Sequence, residues 1–192
     1  MEKKKLIIII VASVLALAVL IGGAVLLSKN FFKGNTDTNS DTQVSSTVES
    51  DNGGADYVIS GSIKISAGSA EGTKGDFVSI PVNCAENPGI NYSMGGIKYD
   101  ATKLKFVSFE KGEVFNDINY NNKDGLIAMD LNSENFDKDV TDNGLLCTIK
   151  FEIISDEKGD TPVEIIFNDG FSCNSKEEIV TVKAENGKVT IK

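Results

Sequence analysis

The residue types that do chemistry on their own are scarce in this chain. Histidine and tryptophan are absent from its 192 residues, and the sequence contains no arginine either. Without His, a Ser-His-Asp or Cys-His nucleophile cannot be assembled in its usual form, and His-based zinc sites are excluded. Three cysteines remain, Cys84, Cys147 and Cys173. They lack the CxxC spacing of a metal or redox motif, and an odd number cannot pair completely. Cys84 and Cys147 fall on core-facing strand positions, which favours buried thiols. A Cys84–Cys147 disulfide stays open, because sequence does not give its geometry.

Carboxylates are abundant, and a glycosidase needs only two of them across a sugar bond. Glu110, Glu113, Asp130 and Glu134 are the obvious candidates. They sit mainly at loop or outward strand positions, where a solvated surface is the simpler reading. Catalytic acids need burial or a close neighbour to separate their pKa values, and no spacing here supplies one. The oxygen-rich stretches Asn121–Gly125 and 137–142 miss the twelve-residue calcium loop, so polar turns explain them. The chain is expected to be no enzyme, with no cofactor or metal of its own.

Binding chemistry has a better candidate. In the stretch Tyr92-Ser93-Met94-Gly95-Gly96-Ile97-Lys98-Tyr99, strand alternation with Ile97 and Tyr99 inward leaves Tyr92, Met94 and Gly96 on the outer face. Tyr is an interface anchor and Met an adaptable contact. A solvent face rarely carries both beside glycines. The competing reading is that a neighbouring loop covers this face.

The elements that hold these residues follow from periodicity. Positions 6–27 form a run of 22 residues without a charge, preceded by Lys3, Lys4 and Lys5. About 20 apolar residues cross a bilayer core, and positive flanks stay inside. The expected layout is a cytoplasmic basic tail at 1–5 and a single transmembrane helix at 6–27, with the rest of the chain outside the cell. A cleaved signal peptide is the alternative, but its apolar region is usually shorter. Residues 28–56 read as a disordered Ser/Thr/Asn/Asp/Gly-rich linker with too few apolar side chains to offset the cost of ordering. It would span on the order of 30 Å.

From residue 57 to 192 the period is two. Val78, Ile80, Val82 and Cys84 share one face, and similar runs recur at 104–109, 126–131, 145–154, 163–167, 179–182 and 189–191. Turn pairs such as Asp124-Gly125 and Asn143-Gly144 separate them. No stretch after 57 keeps a helical period. This predicts an all-β, antiparallel two-sheet sandwich or jelly roll. The segment carries 14 Lys against 22 Asp and Glu, a net charge of −8. An acidic domain without Arg is a poor partner for nucleic acid and for anionic lipid. Membrane contact is therefore expected through 6–27 alone.

The ordered set Gly75-Asp76-Phe77-Val78-Ser79-Ile80-Pro81-Val82, Asn87-Pro88-Gly89-Ile90, Tyr99-Asp100 with Leu104 and Phe106-Val107, and Asn143 to Phe151, closed by Gly187-Lys188-Val189-Thr190-Ile191, resembles the cohesin modules of cellulosome scaffoldins. The resemblance implies about nine strands in a jelly roll and a dockerin as partner, with calcium on the dockerin. One sheet face would carry recognition. By motif its strands are Tyr92–Tyr99, the strand leading to Tyr120, Gly125–Asn132 and Leu145–Phe151. Its outward candidates are Tyr92, Met94, Gly96, Ala128, Asp130, Asn132, Leu146 and Thr148, with Tyr120 at the rim. The best-known family members place Asn and Asp where this chain has Tyr92 and Met94, which implies a more apolar anchor. Acids at the rim would speed encounter with Lys or Arg on the dockerin. The implied role is a non-catalytic anchor that holds a polysaccharide-degrading enzyme or a scaffoldin at the membrane. A carbohydrate-binding module of similar fold is the second expectation. The missing Trp weakens it.

Overall fold

The computed structural model describes residues 58–192. The expected basic tail at 1–5, transmembrane helix at 6–27 and linker at 28–56 lie outside the described residues.

Eleven strands carry the described chain: β1 Ile59–Ala67, β2 Ser69–Gly72, β3 Phe77–Ala85, β4 Tyr92–Tyr99, β5 Leu104–Lys111, β6 Asp117–Lys123, β7 Leu126–Asn132, β8 Gly144–Ile153, β9 Gly159–Cys173, β10 Ile179–Glu185 and β11 Gly187–Ile191. A single 3-10 turn at Glu134–Phe136 is the only helical element among the described residues. One layer runs β5-β8-β3-β1-β10, and the other runs β6-β7-β4-β9 and continues through β11 to β2. The layers join where Ile179 of β10 pairs with Cys173 of β9.

The alternation read from sequence holds the sandwich together. Val78, Ile80, Val82 and Cys84 of β3 are buried, facing Ile127, Met129 and Leu131 of β7 in one continuous core. Full burial of an aliphatic side chain stabilises by about 1.5–3 kcal/mol, so a strand with three such positions and a buried Cys is fixed in register.

Two expectations change. Strands β1–β10 and β2–β11 are parallel pairs in an otherwise antiparallel fold. The strand number exceeds nine because the chain changes layer twice with hardly a break. At Gly68 it passes from β1 to β2, and at Asn186 from β10 to β11. The two crossings abut. A Cβ on Gly187 would lie 1.8 Å from the Gly68 carbonyl oxygen, and one on Gly68 would lie 2.8 Å from Pro81 Cδ. Asn186-Gly187, read as a turn, is this crossing. Asn186 Oδ1 accepts from the Ile165 amide at 2.9 Å, replacing a ladder bond that the crossing interrupts.

The open edge between β5 and β6 is closed by aromatic stacking. Tyr120 of β6 lies on Phe109 of β5 with centroids 4.2 Å apart and planes at 18°, and Phe106 tilts against it at 6.2 Å. Such contacts add about 0.5–1.5 kcal/mol beyond area burial.

Candidate functional site

The outer face of the β6-β7-β4-β9 layer is built by register. Tyr92, Met94, Gly96 and Lys98 of β4 stand opposite Asn132, Asp130, Ala128 and Leu126 of β7. Those in turn stand opposite Asp117, Asn119, Asn121 and Lys123 of β6. On the other flank Gly96 meets Ile166 and Lys98 meets Glu164 of β9. Directly opposed residues share a face, so these side chains form one surface. Ile97, Tyr99, Ile127, Met129 and Leu131 point the other way into the core.

Two glycines shape this surface from opposite sides. Gly95 points inward, where a Cβ would fall 2.4 Å from the Phe167 ring and 2.6 Å from the Ile166 carbonyl oxygen. Gly96 points outward, where a Cβ would fall 2.8 Å from the Ile127 carbonyl oxygen. Gly96 is buried at a low centre, where a Cβ would also lie 3.3 Å from Leu126 Cδ1, and Ala128, Leu126 and Ile166 are half-buried around it.

The end of the face near β7's last residues is polar and fixed. Asp130 Oδ2 accepts from Asn119 Nδ2 at 3.1 Å and from Asn132 Nδ2 at 2.9 Å. Asn132 is only 4% exposed. Tyr92 is half-buried beside this network, and its phenol is pushed up to about 12, first by burial and then by the charge of Asp130 and the Cys173 thiol. Beneath, Ser93 Oγ and Ser172 Oγ share a buried hydrogen bond of 2.6 Å. Asn91 Nδ2 donates to Ser133 Oγ at 2.9 Å and ties down the loop that follows β7.

Six of the nine expected contact residues thus lie together: Tyr92, Met94, Gly96, Ala128, Asp130 and Asn132. The other three do not join them. Leu146 and Thr148 belong to β8, which pairs with β3 and β5 in the opposite layer. Leu146 is fully buried, because the β3–β8 register shifts between Val82 and Asn83 and turns both Leu146 and Cys147 inward. Thr148 is half-exposed, but on the far side of the sandwich. Tyr120 opposes the core residue Met129 and so has inward parity, closing the β5–β6 edge instead of rimming the face. The fourth strand of the layer is β9, whose Glu164, Ile166 and Cys173 the sequence reading missed. The adjacent pair Ile165-Ile166 is its signal, since one of two neighbouring apolar residues in a strand must face outward.

Met94 is more covered than an exposed anchor should be, at 7% exposure. It stands outside the core cluster. The β4–β9 register jumps from Ser93–Ser172 to Gly95–Phe167, so residues 168–171 bulge out of β9 beside Met94. A wide excursion of this kind is how one strand changes what a neighbouring face presents.

The remaining chemistry is structural. Asp76, Asp100 and Asp160 lie below the usual carboxylate range, the first two through hydrogen bonds from Thr73 and Thr102 and the third through Lys188 and Thr190. Each holds a turn or a strand edge. Cys84, Cys147 and Cys173 are free thiols. Among the described residues no three His, Cys, Asp or Glu side chains are grouped to hold a metal.

Comparison with known proteins agrees with this geometry. The model of the cohesin domain matches residues 63–191. A structure of a type I cohesin–dockerin complex from Clostridium thermocellum is similar at 26% identity and TM-score 0.61, covering 68% of this chain and 99% of that one. The seventh ScaB type I cohesin of Pseudobacteroides cellulosolvens is similar at 19% identity and TM-score 0.62, covering 69% and 93%. A non-cellulosomal cohesin from the archaeon Archaeoglobus fulgidus is similar at 19% identity and TM-score 0.58, covering 68% and 91%. No curated protein matches the chain. With the family model spanning most of the sequence and an all-β sandwich beneath it, this chain belongs to the cohesin family, whose members are non-catalytic binding modules.

Proposed function

We propose that this chain binds a dockerin-bearing protein through the outer face of the β6-β7-β4-β9 layer and holds it at the outside of a cell membrane through residues 6–27. The observation that carries the binding reading is the face itself. A low apolar centre at Gly96 and Ala128 adjoins a rigid polar network on Asp130 and the half-buried Tyr92. That is the composition of a protein interface, with a desolvated centre and a hydrogen-bonding margin. The solved relative from Clostridium thermocellum is in complex with a dockerin. A standard interface of roughly 800 Å² per partner fits a four-stranded layer. The bound protein is then a polysaccharide-degrading enzyme or another scaffoldin, with calcium on its dockerin.

The test is capture by the immobilised full-length chain of a panel of calcium-loaded dockerins, with and without a chelator. Retention that disappears with calcium supports the proposal. No calcium-dependent retention across the panel refutes it. Ala128→Arg places a long cation over the low centre and is expected to abolish capture while leaving the melting temperature unchanged. The anchoring half is tested separately, by protease treatment of intact cells. It requires release of the β-sandwich while a fragment containing 6–27 stays in the membrane fraction.

A further inference from the structure

We infer that Asp130 selects among dockerins, admitting those that set a lysine or arginine against its carboxylate. The inference rests on the dockerin-binding reading above and names the partner chemistry that reading leaves open.

Asp130 lies on β7, flanked by β4 and β6, on the face where the partner would sit. Its Oδ2 is held by two amides, from Asn119 and Asn132. Among the described residues no hydrogen bond or ion pair reaches Oδ1. The carboxylate is thus held through one oxygen, and the other has no hydrogen-bond partner among the described residues.

Its surroundings do not neutralise it. The eight ion pairs of the described residues use Glu71, Glu86, Glu152, Asp156, Glu157, Asp160, Glu164 and Glu185. None uses an acid between Glu110 and Asp142, although nine acids and only three lysines fall in that stretch. Asp117 stands directly across from Asn132 on the same face. The same face carries two lysines, Lys98 and Lys123, and both lie on the row of Leu126 at the opposite end. Lys98 is engaged by Glu164 at 3.4 Å. Lys123 is four residues along β6 from Asn119, the residue opposite Asp130, about 13 Å at strand rise.

Docking strips water from Asp130. A partner that covers it with neutral atoms leaves a charge buried without compensation, which is strongly unfavourable. A partner that supplies a cation gains a charge-assisted hydrogen bond at Oδ1. The same carboxylate therefore favours one class of dockerin and penalises the other, which is how specificity arises without added area.

The experiment uses the full-length chain and a calcium-loaded dockerin captured in the panel, alongside a version with the Lys and Arg of its contact helix changed to Gln. The wild-type chain is expected to bind the cationic version at least about tenfold more tightly, with affinity falling as salt rises. Asp130→Asn keeps the shape and both amide neighbours, and is expected to bring the two versions within about twofold. An unchanged preference in a folded Asp130→Asn chain overturns the inference while leaving dockerin binding intact. Salt-independent binding by the wild type also overturns it, without requiring any variant to fold. Failure of every dockerin in the panel removes the underlying reading, and this inference with it.

Discussion

Replacing Gly95 by alanine tests the register that defines the outer face of the β6-β7-β4-β9 layer. The added methyl would point inward, 2.4 Å from Cγ and Cδ1 of Phe167 and 2.6 Å from the Ile166 carbonyl oxygen. The ring can swing away, but the carbonyl belongs to the β9 backbone and cannot. Overpacking of this kind costs about 1–3 kcal/mol, and a clash with backbone argues for about 2 or more. Unfolding entropy near 2.1 cal/mol/K per residue, over residues 58–192, converts 2 kcal/mol into a fall of about 7 °C in melting temperature. Far-UV circular dichroism or tyrosine fluorescence reads it, since the chain has no Trp. Combining Gly95→Ala with Phe167→Ala is expected to recover part of the loss, with a coupling of about 1 kcal/mol. A fall below about 2 °C, or strict additivity in the double variant, refutes the β4–β9 pairing. The assignment of Tyr92 and Gly96 to the outer face would fall with it.

Leu146→Ala is expected to destabilise by about 2–5 kcal/mol, whereas Thr148→Ala stays within about 0.5 kcal/mol; urea denaturation separates them, and similar values would contradict the β8 bulge. Ultraviolet titration is expected to show one phenol, Tyr92, that ionises only near pH 12. A raised phenol contributes stability that is complete below its unfolded value near 10 and lost as pH climbs from there toward 12, so Tyr92→Phe should flatten the alkaline limb of the stability profile. The lowered carboxyls of Asp76, Asp100 and Asp160 act in the opposite sense. Their contribution is present above the unfolded carboxylate value near 4 and lost as pH falls below it, so alanine at any of them should weaken the acid limb of the profile. Thiol labelling of the native protein is expected to modify Cys173 first and Cys147 last. Cys147 is fully buried and its thiol is pushed up to about 12.

Much of the sandwich was legible in the sequence because a strand's inward face is written at every second residue. Val78, Ile80, Val82 and Cys84 are the clearest case, read as one face and found in the core. The outer rows of β4 and β7 were legible for the same reason, since fixing Ile97 and Tyr99 inward fixes Tyr92 and Gly96 outward. Leu146 was misread because a bulge inserts one residue and reverses the parity before it, and β-bulges depend on the partner strand. Placing β8 in one layer with β4 and β7 failed for a different reason. Both layers bury one face, so alternation does not say which layer a strand joins; the β3 and β5 pairings decide that. Met94 shows a third limit. Its burial falls where the β4–β9 register jumps, a pairing with residues far away in sequence that alternation does not give.

The position of β1 bears on how the domain carries load. The chain reaches the sandwich through Ile59, and β1 is bonded on both flanks, in parallel to β10 from Ile59 to Ser66 and antiparallel to β3 from Lys64 to Ala67. A pull along this strand from its N-terminal end shears two ladders together, so many hydrogen bonds must fail at once. An edge strand pulled from its end would instead open pair by pair. A pull entering through this inner strand is thus resisted by both of its ladders at once.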